Sequence, residues 1–190
     1  LRKKNAKYLE NIFVYTYICV KITQIKIMNP LLYTDGYKVD HRRQYPNQTT
    51  LVYSNWTPRK SRIEGVNEVV LFGLQYFIKK DIIEDFETNF FSQSKENICK
   101  KYSRRINNYL GENSVGIEHI KALHDLGYLP MVIKALPEGV SVPIRVPMVT
   151  MYNTQPEFFW LTNYFETILS TTLWMPCNSA TIAKQYRIIL

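Results

Sequence analysis

Hydrophobic side chains recur every three or four positions along much of the chain, a spacing typical of helices that bury one face. The clearest case is residues 94–110, where Ile98, Tyr102, Ile106 and Leu110 recur every fourth position. Ser94 can cap the first turn of this helix, and Gly111 can end it. The same criterion predicts helices over residues 68–80, 81–91, 117–126, 158–174 and 180–190.

Four other stretches are rich in β-branched and aromatic residues, which favour strands. Proline and glycine interrupt them, which is typical of short strands at sheet edges. The predicted strands cover residues 50–57, 131–136, 140–143 and 146–152. The pattern therefore predicts an α+β fold, with helices and a small, mostly antiparallel sheet.

Local signals set the expected ends of the later helices. Thr154 and Glu157 match the pattern of a capping box. In such a box the Thr154 hydroxyl would accept a hydrogen bond from the Glu157 N–H, and the Glu157 carboxylate would accept one from the Thr154 N–H. Pro176 is expected to break the apolar helix of residues 158–174, because proline lacks the N–H that continues a helix. The last helix reaches Leu190 with apolar residues and without a cap, and we interpret this as a chain that is cut short.

Composition indicates one ordinary globular domain, with 190 residues and a formal net charge of +8. Residues 1–28 hold six Lys or Arg and one Glu, a net charge of +5, which leaves +3 for residues 29–190. The apolar run within residues 1–28 is too short to cross a bilayer. We interpret residues 1–28 as a non-native or disordered leader upstream of a start at Met28; a genuine basic arm is the alternative.

Few residues in the chain suggest metal or nucleophile chemistry. Cys19, Cys99 and Cys177 are far apart in sequence and are expected to be reduced thiols. His119 and His124 are five residues apart, on different faces of a helix, and are expected at the surface or at a partner contact. The glycines form no phosphate-binding loop of the known patterns.

The strongest functional signal lies in residues 29–59, NPLLYTDGYKVDHRRQYPNQTTLVYSNWTPR. Thr34 or Asp35 can cap a helix that carries Tyr37, His41 and Tyr45 on one face and ends before Pro46. The pieces TDGYK (34–38), QYP (44–46) and VYS (52–54) resemble the amino-terminal end of the nicotinamide phosphoribosyltransferase family. The resemblance continues in FGLQY (72–76), IKALPEG (133–139), WLTNY (160–164) and ETIL (166–169), and covers about residues 29–190.

This resemblance implies a fold and a reaction. The fold would be the amino-terminal part of a type II phosphoribosyltransferase, incomplete without a downstream α/β barrel. The family joins nicotinamide to 5-phosphoribosyl 1-pyrophosphate with Mg²⁺, and gives nicotinamide mononucleotide and pyrophosphate in NAD salvage. Its members are cytoplasmic homodimers whose active sites straddle the subunit interface. Neither a nucleic acid nor a membrane is implied as a partner.

The resemblance also assigns roles to three substrate-binding residues across that interface. Tyr37 corresponds to a tyrosine that stacks on nicotinamide, Asp35 to the acid beside the ring, and Arg59 to an arginine that contacts a ligand phosphate. From the residues alone, Tyr37 could equally be a core aromatic, Asp35 a helix cap and Arg59 a solvated loop cation. No catalytic residue, metal ligand or ATP-linked residue is assigned within the chain, and alone it is expected to be inactive.

Three alternatives stay open on the sequence. A nicotinate phosphoribosyltransferase shares a similar T-D-x-Y-K start. The basic residues Lys100, Lys101, Arg104 and Arg105 form either a nucleic-acid surface or, as we prefer, a solvated helix face. A stand-alone interaction module would need residues 29–190 to fold by themselves, whereas we expect partial unfolding or aggregation.

Overall fold

The computed structural model describes residues 28–112 and 114–190, so the interpretation of the leader lies outside the described residues. Within this part, two small antiparallel sheets are combined with four α-helices, which confirms the predicted α+β class. The strands are β1 (Tyr53–Trp56), β2 (Glu68–Val70), β3 (Met131–Ala135), β4 (Ser141–Pro143) and β5 (Val149–Asn153). The helices are α1 (Leu74–Phe77), α2 (Lys95–Leu110), α3 (Glu118–Leu126) and α4 (Leu161–Ile189).

Helix α4 lies at the centre of the fold. Its first half is apolar on most faces, and residues such as Leu161, Tyr164, Phe165 and Leu169 are almost fully buried. The helix contacts β1, β2, β5 and α1, so both sheets are anchored to it. None of the helices in the described ranges, α4 included, is long and apolar enough to cross a bilayer.

The larger sheet has the strand order β1-β5-β3, with all pairs antiparallel. Along β5, residues 149, 151 and 153 are buried and the two between them are half-buried, as expected for a strand with one face on a core. The prediction that these strands lie at sheet edges is wrong for β5, which is central. The second sheet pairs β2 with β4.

Strand β1 is shorter than the predicted residues 50–57, because side chains replace strand pairing at its start. Asn153 accepts a hydrogen bond from the Val52 N–H at 2.9 Å and donates one to the Thr50 carbonyl at 2.8 Å. The Thr162 hydroxyl donates to the Val52 carbonyl at 3.1 Å. These bonds hold residues 50–52 next to α4 without making them a strand.

The prediction of one buried helix over residues 68–80 is wrong at its start. Residues 68–70 form strand β2, and the helix begins after Gly73, whose φ of +93° is accessible mainly to glycine. Phe72 and Tyr76, two of the regularly spaced hydrophobic residues that led to this prediction, are exposed. The predicted break before residue 81 is also absent, because α1 continues as π-helical turns over Ile78–Glu84 and Glu87–Phe91.

The structure confirms α2 and α3 closely. The Ser94 side chain accepts a hydrogen bond from the Asn97 N–H, and Ile98, Tyr102 and Ile106 are buried, as the four-residue spacing predicts. Helix α3 ends at Gly127, which has a left-handed backbone. These elements could be predicted because their signals are local and periodic.

The predicted break at Pro176 is wrong, since this proline lies inside α4, which is 29 residues long. Contacts made around the proline oppose the local cost of a missing N–H, which is about 3 kcal/mol. A side-chain carbon at Gly73 would come within 2.9 Å of Pro176, so the ring packs directly on this glycine. The Cys177 sulfur also hydrogen-bonds to both the N–H and the carbonyl of Phe72 at 3.4 Å.

The predicted capping box before α4 is also wrong. A 3₁₀ turn, Pro156–Phe158, precedes the helix, and no side chain caps it. The Thr154 N–H instead donates to the Pro130 carbonyl at 2.8 Å, which ties the segment to the residue preceding β3. At the other end of α4, Ile188, Ile189 and Leu190 are exposed, as expected from the sequence.

Replacing Thr181 with valine should destabilise the fold by about 1–3 kcal/mol, because the buried Val70 N–H would lose its hydrogen-bond acceptor at 2.9 Å. Chemical unfolding of the variant measures this loss. Thr171→Val is the matched control, since the exposed Thr171 hydroxyl bonds only to carbonyls of its own helix. Equal stability of the two variants would contradict the anchoring role of Thr181.

Candidate functional site

The turn that carries Asp35 and Tyr37 leads into a 3₁₀ helix, Gly36–Arg43, rather than the α-helix expected from the sequence. Tyr37 is 59% exposed, so it is not a core aromatic. Its ring lies 5.3 Å from the His41 ring, centroid to centroid, in a tilted arrangement. The turn therefore presents a flat aromatic surface to solvent.

Asp35 does not cap the helix with its side chain, as one interpretation of the sequence expected. Its Oδ2 atom instead accepts a hydrogen bond from the Thr167 hydroxyl of α4 at 2.7 Å. The Asp35 N–H in turn donates to the same hydroxyl oxygen at 3.4 Å. The bond from Thr167, and then the charge of Lys38, lower the pKa of the Asp35 carboxyl, so it is an anion at neutral pH.

Lys38 is buried below this turn, with only 7% of its side chain exposed. Its Nζ atom lies 3.5 Å from Asp35 Oδ2 and 3.2 Å from Glu166 Oε2 on α4. The same ammonium group is 5.9 Å from the centre of the Tyr37 ring. A buried cation is tolerated when carboxylates compensate its lost hydration, and here two carboxylates do so.

A second set of bonds ties the 3₁₀ helix and the following turn to α4. Asn163 Nδ2 donates to the Tyr45 hydroxyl at 2.5 Å and lies 3.4 Å from His41 Nδ1. The Tyr45 ring packs edge-on against Phe159 at 5.4 Å. His41 and Tyr45 thus face α4, while most of the Tyr37 side chain is exposed to solvent.

Sequence reasoning assigned roles to Asp35 and Tyr37 but none to Lys38, Glu166 and Thr167. These residues belong to the conspicuous runs TDGYK and ETIL, which are more than a hundred positions apart. A local pattern cannot show that the two runs meet. The arrangement they build, an exposed ring next to an anchored carboxylate, can bind a flat aromatic ligand that carries a hydrogen-bond donor.

Arg59 lies elsewhere on the molecule. It is exposed just beyond β1, in a cleft shared with Lys60 and Arg145, and neither Asp35 nor Tyr37 lines that cleft. The structure therefore brings together two of the three predicted binding residues within one chain, and leaves the third apart from them.

His119 is buried, so the prediction of a surface or partner-contact histidine is wrong for it. Its ring lies edge-on to Trp160 at 4.9 Å, and neither ring nitrogen has a hydrogen-bond partner. Burial, together with the nearby charge of Arg42, lowers the pKa of His119 to about 3. His124 is only half-buried, and its Nε2 lies 2.9 Å from the Gln93 carbonyl oxygen.

Metal-binding arrangements are absent from residues 28–112 and 114–190, where no group of three His, Cys, Asp or Glu side chains could hold an ion. Cys99 and Cys177 are free and buried, and burial raises the pKa of both thiols. Cys19 lies outside the described residues. The basic residues Lys100, Lys101, Arg104 and Arg105 are all exposed on α2.

Comparisons with known proteins point to one family. The sequence model described as "Nicotinamide phosphoribosyltransferase, N-terminal domain" matches residues 29–133. A nicotinamide phosphoribosyltransferase from Acinetobacter baylyi is 53% identical over 168 residues, which cover 86% of this chain and 33% of that protein. Proteins of the same name from Mycoplasma pneumoniae and Xanthomonas campestris are 29% and 30% identical, over 84% and 85% of the chain.

The matched region is a fraction of these relatives, since the chain spans about a third of their length. Among solved structures, human nicotinic acid phosphoribosyltransferase aligns with 74% of this chain and 25% of its own, at a TM-score of 0.44 and 16% identity. That likeness is weak, and the family assignment comes from the sequence matches.

Replacing Thr167 with valine should raise the pKa of the Asp35 carboxyl towards its ordinary value, because the Thr167 hydroxyl is the main cause of its lowering. Lys38→Met should also raise it, because the charge and the hydrogen bond of Lys38 both lower this pKa. Carbon-13 NMR of the aspartate carboxyl during a pH titration measures both shifts. Thr171→Val, one turn further along α4, is the control and should leave the titration unchanged. An Asp35 titration that is the same in Thr167→Val and in the wild type would contradict the role of the Thr167 hydroxyl.

His119 should make the fold sensitive to acid. Because its folded pKa of about 3 lies below the unfolded value of 6.5, the unfolded chain binds the proton first as the pH falls. The free energy of unfolding should therefore fall as the pH drops below about 6.5. The contribution of His119 to this loss is up to about 1.4 kcal/mol per pH unit, until its folded pKa is reached.

Unfolding measured between pH 7 and pH 4 tests this, with His119→Phe expected to flatten the acid side of the profile. His124→Phe is the matched control on the same helix, since it also removes an imidazole but at a half-buried position. Parallel profiles for the wild type and His119→Phe would show that the buried histidine does not cause the acid sensitivity.

Proposed function

The chain belongs to the nicotinamide phosphoribosyltransferase family, and on that premise we propose that it forms the amino-terminal part of an enzyme of NAD salvage. The enzyme joins nicotinamide to 5-phosphoribosyl 1-pyrophosphate and releases nicotinamide mononucleotide and pyrophosphate. Because the chain spans about a third of its relatives, it supplies one wall of the site and is inactive alone. Catalysis by the remaining parts would depend on positioning and on stabilising the leaving pyrophosphate.

The exposed Tyr37 ring beside the anchored Asp35 carboxylate carries this proposal. The exposed ring face fits the flat pyridine ring of nicotinamide. Asp35 Oδ2 is engaged by Thr167 and Lys38, but a carboxylate has several acceptor sites and this side chain is 43% exposed, so it can also accept a hydrogen bond from a ligand amide. These residues bind and orient the substrate; they carry out no bond-making step.

Arg59 is assigned to a phosphate group of the substrate, for which a guanidinium is well suited. Its separation from Asp35 and Tyr37 within one chain fits sites assembled from two subunits, so we propose a homodimer in which each chain contributes to the partner's site. The same enzyme would work in the cytoplasm.

Mg²⁺ is implied for this reaction, where it would neutralise the pyrophosphate charge. The described residues do not fit such a site, since no suitable group of ligands is present among them. We therefore assign no step of the chemistry here to the metal. Use of ATP, which is possible in the family, is likewise given no residue in this chain.

A hybrid enzyme tests the proposal. In it, this chain replaces the matching amino-terminal third of the 53% identical Acinetobacter baylyi protein. The hybrid should form nicotinamide mononucleotide, and unlabelled nicotinamide should compete with labelled nicotinamide better than nicotinate does. Better competition by nicotinate would favour the nicotinate phosphoribosyltransferase alternative, and no product at all would contradict the proposal.

Within the hybrid, Tyr37→Ala should raise the KM for nicotinamide about tenfold, since stacking on an aromatic ring contributes roughly 1–3 kcal/mol. Tyr37→Phe keeps the ring and should keep the KM. Tyr53→Ala is the matched control, because Tyr53 is 60% exposed, like Tyr37, but lies on the outer face of the sheet. An unchanged KM in Tyr37→Ala would remove Tyr37 from the nicotinamide site.

A further inference from the structure

The cleft that holds Arg59 is lined by more basic groups than the family resemblance assigned. It lies between the loop of residues 59–67 and the turn that joins β4 to β5, and encloses about 520 Å³. Three basic side chains line it, from Arg59, Lys60 and Arg145, and Glu64 adds one carboxylate. The lining therefore carries a net charge of +2, which favours an anion.

None of the three basic side chains is neutralised within the described part of the chain. No ion pair or side-chain hydrogen bond involves Arg59, Lys60 or Arg145, and all three are exposed. Lys38, in contrast, is fully engaged by two carboxylates. The guanidinium and ammonium groups of the cleft thus retain their donors for a ligand.

Arg145 occupies a backbone conformation that an arginine rarely adopts. Its φ is +72°, and it is the only residue other than glycine with a positive φ in the described ranges. It is the third residue of a turn closed by the Val146 N–H and the Pro143 carbonyl, a position where a positive φ normally selects glycine. An arginine at this position costs stability compared with glycine, and such strain concentrates at functional sites.

Backbone bonds hold this strained turn against the loop that carries Arg59. The Arg145 N–H donates to the Pro58 carbonyl at 2.7 Å, and the Ile144 N–H donates to the Asn67 carbonyl at 3.0 Å. Pro58 directly precedes Arg59, so the two arginines emerge from segments that are bonded to each other. The turn therefore fixes where the Arg145 side chain starts relative to Arg59.

We propose that Arg145, with Arg59 and Lys60, binds a phosphate group of the substrate or product in this cleft. The inference rests on the proposed function and extends it, because it adds Arg145 and Lys60 to the phosphate site. Two phosphate sources share the required chemistry, the pyrophosphate group and the 5-phosphate of the ribose. A guanidinium at position 145 provides a directed pair of N–H donors that glycine cannot supply.

Binding of inorganic pyrophosphate and of ribose 5-phosphate to the hybrid enzyme tests the proposal, measured by isothermal titration calorimetry together with the melting temperature of the hybrid. Arg145→Gln should weaken binding of one of these ligands about tenfold or more, and the ligand affected identifies the phosphate source. Arg145→Gly should weaken it equally while keeping or raising the melting temperature, because glycine relieves the left-handed backbone. Arg62→Gln is the matched control, since Arg62 is in the same loop but does not line the cleft.

The outcomes separate this inference from the proposed function. Unchanged affinity for both ligands in Arg145→Gly and Arg145→Gln overturns the role of Arg145, as does an absence of binding by the hybrid that retains Arg145. In the hybrid enzyme, Arg145→Gln should raise the KM for 5-phosphoribosyl 1-pyrophosphate about tenfold and leave that for nicotinamide unchanged. An active hybrid in which only Tyr37→Ala has an effect would refute the inference while the proposed function stands.

Discussion

The fold depends on polar side chains that α4 offers to backbone groups which the two small sheets leave unpaired. Thr162 bonds to the Val52 carbonyl, Cys177 to both backbone groups of Phe72, and Thr181 to the Val70 N–H. Buried backbone groups without partners are costly, and strands of three to five residues cannot pair all of their neighbours. A helix whose buried face is mostly apolar, with polar side chains at these positions, fills the core and also supplies the missing hydrogen bonds.

Elements with strong local signals could be predicted from the sequence. Helices α2 and α3 combine a regular apolar spacing with a capping serine or a terminating glycine, and nothing elsewhere in the molecule opposes those signals. The predictions failed where contacts between distant residues decide the structure. Pro176 lies inside a helix because Gly73 and Phe72 pack against it and its neighbour, and residues 68–70 are a strand because β4 pairs with them.

The candidate site also combines residues that have a local sequence signal with residues that only distant contacts bring into place. Asp35 and Tyr37 could be identified from the sequence, since the run around them is distinctive. The ion pair of the buried Lys38 with Glu166 could not, because it forms only where α4 packs beside the turn. Arg145 could not be singled out from the sequence either, because a positive φ is a property of the folded turn. His119 lies in the core because Trp160 and Tyr102 surround its ring, and these residues come from other helices or helix ends.

Two of the hydrogen bonds made by α4 are far apart along the helix: Thr167 bonds to Asp35, and Thr181 bonds to strand β2. Fourteen residues separate them, which is about four helical turns or roughly 21 Å, so both hydroxyls lie on nearly the same side of the helix. Deleting or inserting one residue between them would rotate one attachment by about 100° relative to the other. The number of residues in this stretch is therefore as strictly constrained as their identity, and length changes in related chains should be confined to the loops.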